Sequence, residues 1–313
     1  MSSARRIYRL HLGLALLGAG AVLAATAVAL TRLRPGLPSA GELLAACQQV
    51  VPLEPGLGLL LVLLLGAVGS VVALLGLRSL WRQLRVQRSF LRTVCIDEET
   101  RIDGVKVTVF ESARAGAFCA GLLRPRIYVS AAALALLTPL ELAAVVAHES
   151  HHQSRRDPLR ILVAAVLADA FFFLPALRRL SERYCQLAEL AADEAAAEAR
   201  GASALASALL RFGERGGEAA PVVGIAPERV EHLLGRPPRW QLPVSVLSGS
   251  LVMVAGLLGL VLTAPMLIDS ESLSLATILA ESCMVAMIVA PVAIAGSALW
   301  LSRSWIHRRV SLR

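Results

Sequence analysis

The sequence predicts a mainly α-helical membrane protein, with about four transmembrane helices and an inserted α+β domain. Three observations predict it. Hydrophobic residues make up 56% of the 313 residues, against about 45–50% in soluble domains, and mean hydropathy is +0.66. The apolar excess is concentrated in four long runs, while the stretch between the second and third carries most of the polar patterning. Basic residues cluster beside those runs.

The four runs span about 11–31, 56–77, 244–267 and 277–301. Each is near the roughly 20 residues that cross a bilayer. The first exceeds the apolar core of about 7–15 residues found in cleaved signal peptides, so it reads as an uncleaved anchor. These runs divide the chain into an N-terminal membrane hairpin (1–77), a central domain (78–240) and a C-terminal membrane hairpin with a basic tail (241–313).

The net charge is +8 and comes almost wholly from arginine, since Lys106 is the only lysine. Arg5, Arg6 and Arg9 precede the first run; Arg78, Arg82, Arg85, Arg88 and Arg92 follow the second; Arg303, Arg308, Arg309 and Arg313 follow the last. The short loop between the last two runs carries Asp269 and Glu271 and no basic residue. Positive charge is retained in the cytoplasm. The central domain and both termini are therefore expected inside the inner (plasma) membrane of a bacterium, although Arg32 and Arg34 fall on the outer side. Arginines beside the spans favour lipid over nucleic acid as the basic surface's partner. All four tryptophans lie at or near span ends, as an interfacial belt requires. Five scattered cysteines without a C-x-x-C pair argue against a disulfide framework or a cysteine metal site.

Within the central domain, Val105–Phe110 (VKVTVF) and Arg126–Ser130 (RIYVS) read as strands. Gly116–Ala120 reads as a loop or a further strand. Thr138-Pro139-Leu140-Glu141 is a helix start, with an N-cap, a proline at the first helical position and a capping-box glutamate. Asp157-Pro158 repeats the signal, with Asp157 as N-cap, and Ser181–Arg200 reads as a third helix. Gly213–Pro227 reads as a loop or linker.

The helix that starts at Thr138 leads to the chemistry. His148-Glu149-Ser150-His151-His152 contains H-E-x-x-H. Residues four apart share a helix face, so His148 and His152 can present two imidazoles to one Zn2+. Glu149 beside them can serve as the general base. Chance yields the pattern in roughly one such chain in a hundred, so a third ligand is required. Glu189 and Asp193, four apart in Glu189-Leu-Ala-Ala-Asp193, supply a candidate ligand and a hydrogen-bond partner for a ligand histidine. The alternative is a solvated acidic face, as for Glu182, Glu194 and Glu198. The role of His151 stays open. Ile161–Leu174 is strongly apolar but short and carries Asp169. It reads as a helix of the domain, since a single crossing there would put His148 and Glu189 on opposite sides of the membrane. No oxyanion stabiliser is identifiable; Arg183 and Tyr184 are merely near Glu189 in sequence.

The blocks AFCAGLLRPRIYVS, LTPLELAAVVAHESHH, RRD and ELAAD, in that order, resemble the BlaR/MecR-type antirepressor membrane zinc metallopeptidases and, more distantly, HtpX-type membrane proteases. The resemblance covers roughly residues 85–240. It implies a zincin-like (gluzincin) domain in which His148, His152 and Glu189 hold zinc, Glu149 is the base and Asp193 supports the site. It further implies that Ala117, Phe118, Cys119, Ala120 and Gly121 form the edge strand that pairs with substrate. By that analogy the substrate is a cytoplasmic protein, a winged-helix repressor in a signalling pathway. The chain ends at Arg313, just past the last apolar run, so the family's penicillin-binding sensor domain is expected to be missing. A quality-control membrane protease and a non-catalytic membrane signalling protein are the competing functions. The oligomeric state is not legible.

Overall fold

Apolar residues continue without a helix breaker into the arginine-rich segment after the second run, and this continuity sets the longest element among the described residues. In the computed structural model, residues 3–34, 41, 57–93, 96–215, 244–267 and 273–274 are described. In chain order the elements are α1 (Ser3–Arg32), β1 (Leu33–Arg34), α2 (Leu57–Thr93), β2 (Ile96–Ile102), β3 (Val105–Phe110), β4 (Ala117–Ala120) and β5 (Arg126–Ser130). There follow α3 (Ala131–Leu136), α4 (Pro139–Arg155), α5 (Asp157–Ala170), α6 (Pro175–Arg200), α7 (Ala202–Arg215), α8 (Val244–Leu267) and β6 (Leu273–Ser274). The protein is mainly helical with a small sheet. Among the described residues, three helices are long and apolar enough to cross a membrane: Ser3–Thr31, Leu60–Arg92 and Val244–Ala264. The fourth expected span, 277–301, lies outside the described residues. At 37 residues, α2 is about 55 Å long at 1.5 Å per residue, nearly twice a hydrocarbon core of about 30 Å.

Two compact units divide the chain. One comprises Val22–Gly69 and Leu257–Arg313. Its core packs small residues of α1 (Ala25, Ala29) with Val62 and Leu65 of α2 and Val261 and Ala264 of α8, and β1 pairs in parallel with β6.

The other unit, Met1–Ala21 with Ser70–Gly256, holds the sheet and the motif helices. Strand order is β2-β3-β5-β4. The antiparallel β2–β3 hairpin turns at Asp103-Gly104, both with positive φ, a pairing that suits the twist of a two-residue turn. β3 and β5 run parallel, and β5 pairs antiparallel with β4, which is left at the sheet edge. Gly121 (φ +109°) ends β4; a Cβ there would lie 2.8 Å from the Arg124 carbonyl oxygen, so the tight return into β5 requires glycine. Val107, Ile127 and Val129 of the sheet pack against Val145 and Val146 of α4 and Phe212 of α7.

The capping box before α4 forms as the sequence predicts: Thr138 Oγ1 accepts from Glu141 N–H, and Glu141 accepts from Thr138 N–H at 2.8 Å. Glu141 also accepts from Ser207 and lies 3.1 Å from Arg211, tying α7 to the start of α4. Three expectations change. The third helix begins at Pro175, six residues before Ser181, because Pro175 sits in its first turn. Gly213–Arg215, expected in a loop, belong to α7, and the rest of that expected loop, 216–227, lies outside the described residues. Asp157 is not the N-cap of α5; that position belongs to Arg156, in the left-handed region at φ 54°, and no side chain caps it.

Candidate metal centre and active site

The site is built on α4, α5 and α6, with β4 alongside. A four-residue spacing places His148 and His152 on one face of α4, and both are buried. Their Nε2 atoms are 3.2 Å apart. Glu189 on α6 approaches both, with Oε2 3.6 Å from His148 Nε2 and Oε1 3.6 Å from His152 Nε2. One ligand atom from each of the three lies within 4.8 Å of the others. Both histidines and Glu189 thus meet at one point, and Ile161–Leu174 does not separate them. It forms most of α5 and the turn into α6, and is not among the span-length helices.

Each imidazole turns its Nδ1 to a buried carboxylate. His148 Nδ1 lies 3.0 Å from Asp193 Oδ1, and Asp193 is fully buried on the same helix as Glu189. His152 Nδ1 donates to Asp157 Oδ2 at 2.9 Å. Asp157 also accepts from the Tyr184 hydroxyl at 2.9 Å. The left-handed Arg156 makes this possible: it ends α4 and starts α5 with no intervening loop, folding Asp157 back onto a histidine five residues earlier. A non-glycine residue in that conformation is uncommon and is held by its surroundings.

The electrostatics call for a cation. Burial alone would lower the pKa of His148. The carboxylates of Asp193, Glu189 and Glu149 outweigh that and lift it to about 9. Asp157 is buried, which raises its pKa, but hydrogen bonds from His152 and Tyr184 prevail and hold it below the ordinary range. Zinc binds imidazole at about 2.0–2.1 Å, which separates two tetrahedral ligands by about 3.3 Å. The Nε2 pair matches that edge, and with a carboxylate the donor set suits zinc.

Glu149 lines the same cavity, about 210 Å³, together with Ala117, Phe118 and Cys119 of β4. The free edge of β4 therefore borders the histidine pair. Ala120 ends the strand, so Gly121, expected within it, belongs instead to the turn that follows, and neither lines this cavity. The Cys119 thiol is pushed up to about 12, first by burial and then by Glu149 and Asp157, so it stays neutral. His151 is outside the three-ligand group. Burial, with Arg155 and His152, lowers its pKa. Glu182, Glu194 and Glu198 are exposed. Tyr184 is buried behind His152 and committed to Asp157, which gives it a supporting place and not one facing substrate. The Arg183 guanidinium donates to Gln186 at 2.9 Å. Asp157 and Tyr184 are the residues that sequence reasoning missed. The D-P pair was visible but reads as a helix start.

These elements define a class: a protein with membrane-length helices and a His/His/Glu group that could hold a metal ion, beside a strand at the edge of the described sheet. The family model of the BlaR1 peptidase M56 matches residues 43–227, and the chain belongs to that family of membrane-associated metallopeptidases. Comparison with curated proteins and with solved structures gave no match.

Proposed function

We propose that the chain is a zinc-dependent endopeptidase with a zincin-like domain, embedded in a bacterial inner membrane and cutting a cytoplasmic protein. The observation that carries this reading is the convergence of His148, His152 and Glu189, with Glu149 in the same cavity. His148, His152 and Glu189 would hold the metal. When bound, zinc acts as a Lewis acid that polarises the scissile carbonyl and acidifies water. Glu149 takes a proton from the attacking water and delivers it to the leaving amine. Asp193 and Asp157 fix the ring orientation of His148 and His152 and keep each Nε2 directed into the cavity. The residues of β4 align an extended substrate by backbone pairing. A winged-helix repressor is the substrate we favour, by family analogy alone. Arginines after the second span support a cytoplasmic site.

Glu149→Gln separates binding from chemistry. The purified variant should keep its zinc and lose cleavage by at least about a hundredfold, the scale of general-base catalysis. Cleavage at the parent's rate would remove Glu149 from the mechanism.

A further inference from the structure

A second cavity adjoins the first. It is a groove of about 350 Å³ that shares Phe118, Cys119, Pro158 and Ile161 with the metal-site cavity. One wall is the arm of α2 beyond the apolar run, through Gln83, Val86, Gln87 and Phe90. The other is α5, through Pro158, Ile161, Leu162 and Ala165. Both sets follow the i, i+3, i+4, i+7 spacing, so each helix turns a single stripe to the groove. Between them β4 contributes Phe118 to Ala120, followed by Leu122. Phe90 reaches across to Phe118, edge to face, with ring centroids 4.9 Å apart.

No charged side chain lines this groove. Of the arm's arginines, those at 85, 88 and 92 fall on the opposite side of the helix by the 100° step, while Arg82 lies on the flank of the stripe, 3.1 Å from Asp169 of α5. Val86 and Phe90 are 63% and 43% exposed, so the groove offers uncovered apolar surface. A lipid tail could cover it, but a tail cannot pair with the open backbone edge of β4 that leads to Glu149. An extended peptide can do both. Antiparallel pairing, the commoner kind, runs the peptide from Ala120 toward Ala117, so residues before the scissile bond pass through the groove. From Phe118 to Ala120 the strand advances two residues, or about 7 Å.

We infer that this groove is a substrate subsite for a large uncharged apolar side chain, two or three residues N-terminal to the cleaved bond, with the α2 arm as its outer wall. The inference rests on the endopeptidase reading and names the substrate class it acts on.

The test uses full-length protein in phospholipid nanodiscs, in the Glu149→Gln form so that peptides stay intact. Fluorescent peptides carry Leu, Ala or Asp at the second and third positions before a common bond. Binding should favour Leu over Ala at one of these positions by about tenfold or more, the scale of filling an apolar pocket, with Asp weaker still. Ala165→Phe, which fills the groove, and Val86→Trp, which narrows it from the exposed arm, should each reduce that ratio to near one. Equal binding of Leu and Ala peptides, a ratio that survives both substitutions, or a preference lying only after the bond would overturn the inference. So would a preference seen in detergent but absent in nanodiscs, which would assign the groove to lipid. The two readings fail separately. Peptides bound with the preference but uncut by zinc-loaded parent contradict hydrolysis alone, and peptides cut without preference contradict the groove alone.

Discussion

The two imidazoles of the metal centre are supported in contrasting ways. His148 leans on Asp193, which lies one helical turn after Glu189, so ligand and support come from a single stretch of α6. His152 leans on Asp157 at the start of α5, Asp157 on Tyr184 of α6, and Tyr184 on Tyr8 of α1, with the two tyrosine rings 4.9 Å apart. Arg160 reaches over Tyr8, 5.7 Å from its ring centroid. One histidine is thus oriented by a local motif and the other by a chain of contacts that ends in the first membrane-length helix. Equivalent chemistry at the ion does not require equivalent architecture behind it. The longer chain has more points at which it can be loosened.

Removing either carboxylate should have the largest effect. Asp193→Ala and Asp157→Ala are each expected to weaken zinc binding by about 10- to 100-fold, the range for partners of metal-bound histidines. They should differ in the metal-free protein. Asp157→Ala strands two buried groups, His152 Nδ1 and the Tyr184 hydroxyl, and should lower stability by about 2–6 kcal/mol at about 1–3 kcal/mol per stranded group. Chelator competition and thermal unfolding measure the two quantities. If the supports are separate, the affinity losses add in the double variant. A double variant no worse than either single one would merge them into one network.

The pH dependence follows from His148. Its folded pKa, about 9, lies above the ordinary 6.5. Its protonation therefore stabilises the metal-free fold fully below about pH 6.5, and this contribution fades as pH rises through about 9. A cation must displace that proton, so apparent zinc affinity should rise about tenfold per pH unit up to about pH 9 and then level. Asp193→Asn removes one of the carboxylates that raise the pKa, and should bring the levelling point to lower pH. An unmoved levelling point would detach His148 from Asp193.

Smaller effects lie further along the second chain. Tyr184→Phe removes one hydrogen bond from Asp157 while keeping the ring. It should cost about 1 kcal/mol of stability and several-fold in zinc affinity. Tyr8→Ala should weaken zinc binding by about twofold, with Tyr8→Phe restoring it, since paired aromatic rings contribute about 0.5–1.5 kcal/mol. No change in either tyrosine variant would end the chain at Asp157.

The same contrast accounts for what was legible in the sequence. VKVTVF, RIYVS and the Thr138–Glu141 capping box depend on neighbours in sequence and could be read locally. So could the spacing of His148, His152, Glu189 and Asp193, because a single helical period places each pair. Asp157 could not, because its position depends on Arg156 entering the left-handed region, which sequence favours for glycine or asparagine. Strand β2, IDEETRI, lacks apolar alternation, and its pairing draws on the hairpin turn and on the Glu99–Lys106 and Glu99–Arg126 ion pairs. Helix α7 sits behind a glycine and is held by Glu141, more than 60 residues earlier. Tyr8 is about 175 residues from its partner, and no periodicity signals that contact.

The central claim is that one cation sits among His148, His152 and Glu189, and metal analysis of the purified full-length protein tests it most directly. The account predicts about one zinc per chain in the parent and in Glu149→Gln, and almost none in His148→Ala, His152→Ala or Glu189→Ala. A parent that binds no stoichiometric metal, or a Glu189→Ala variant that retains it at parental affinity, would contradict it.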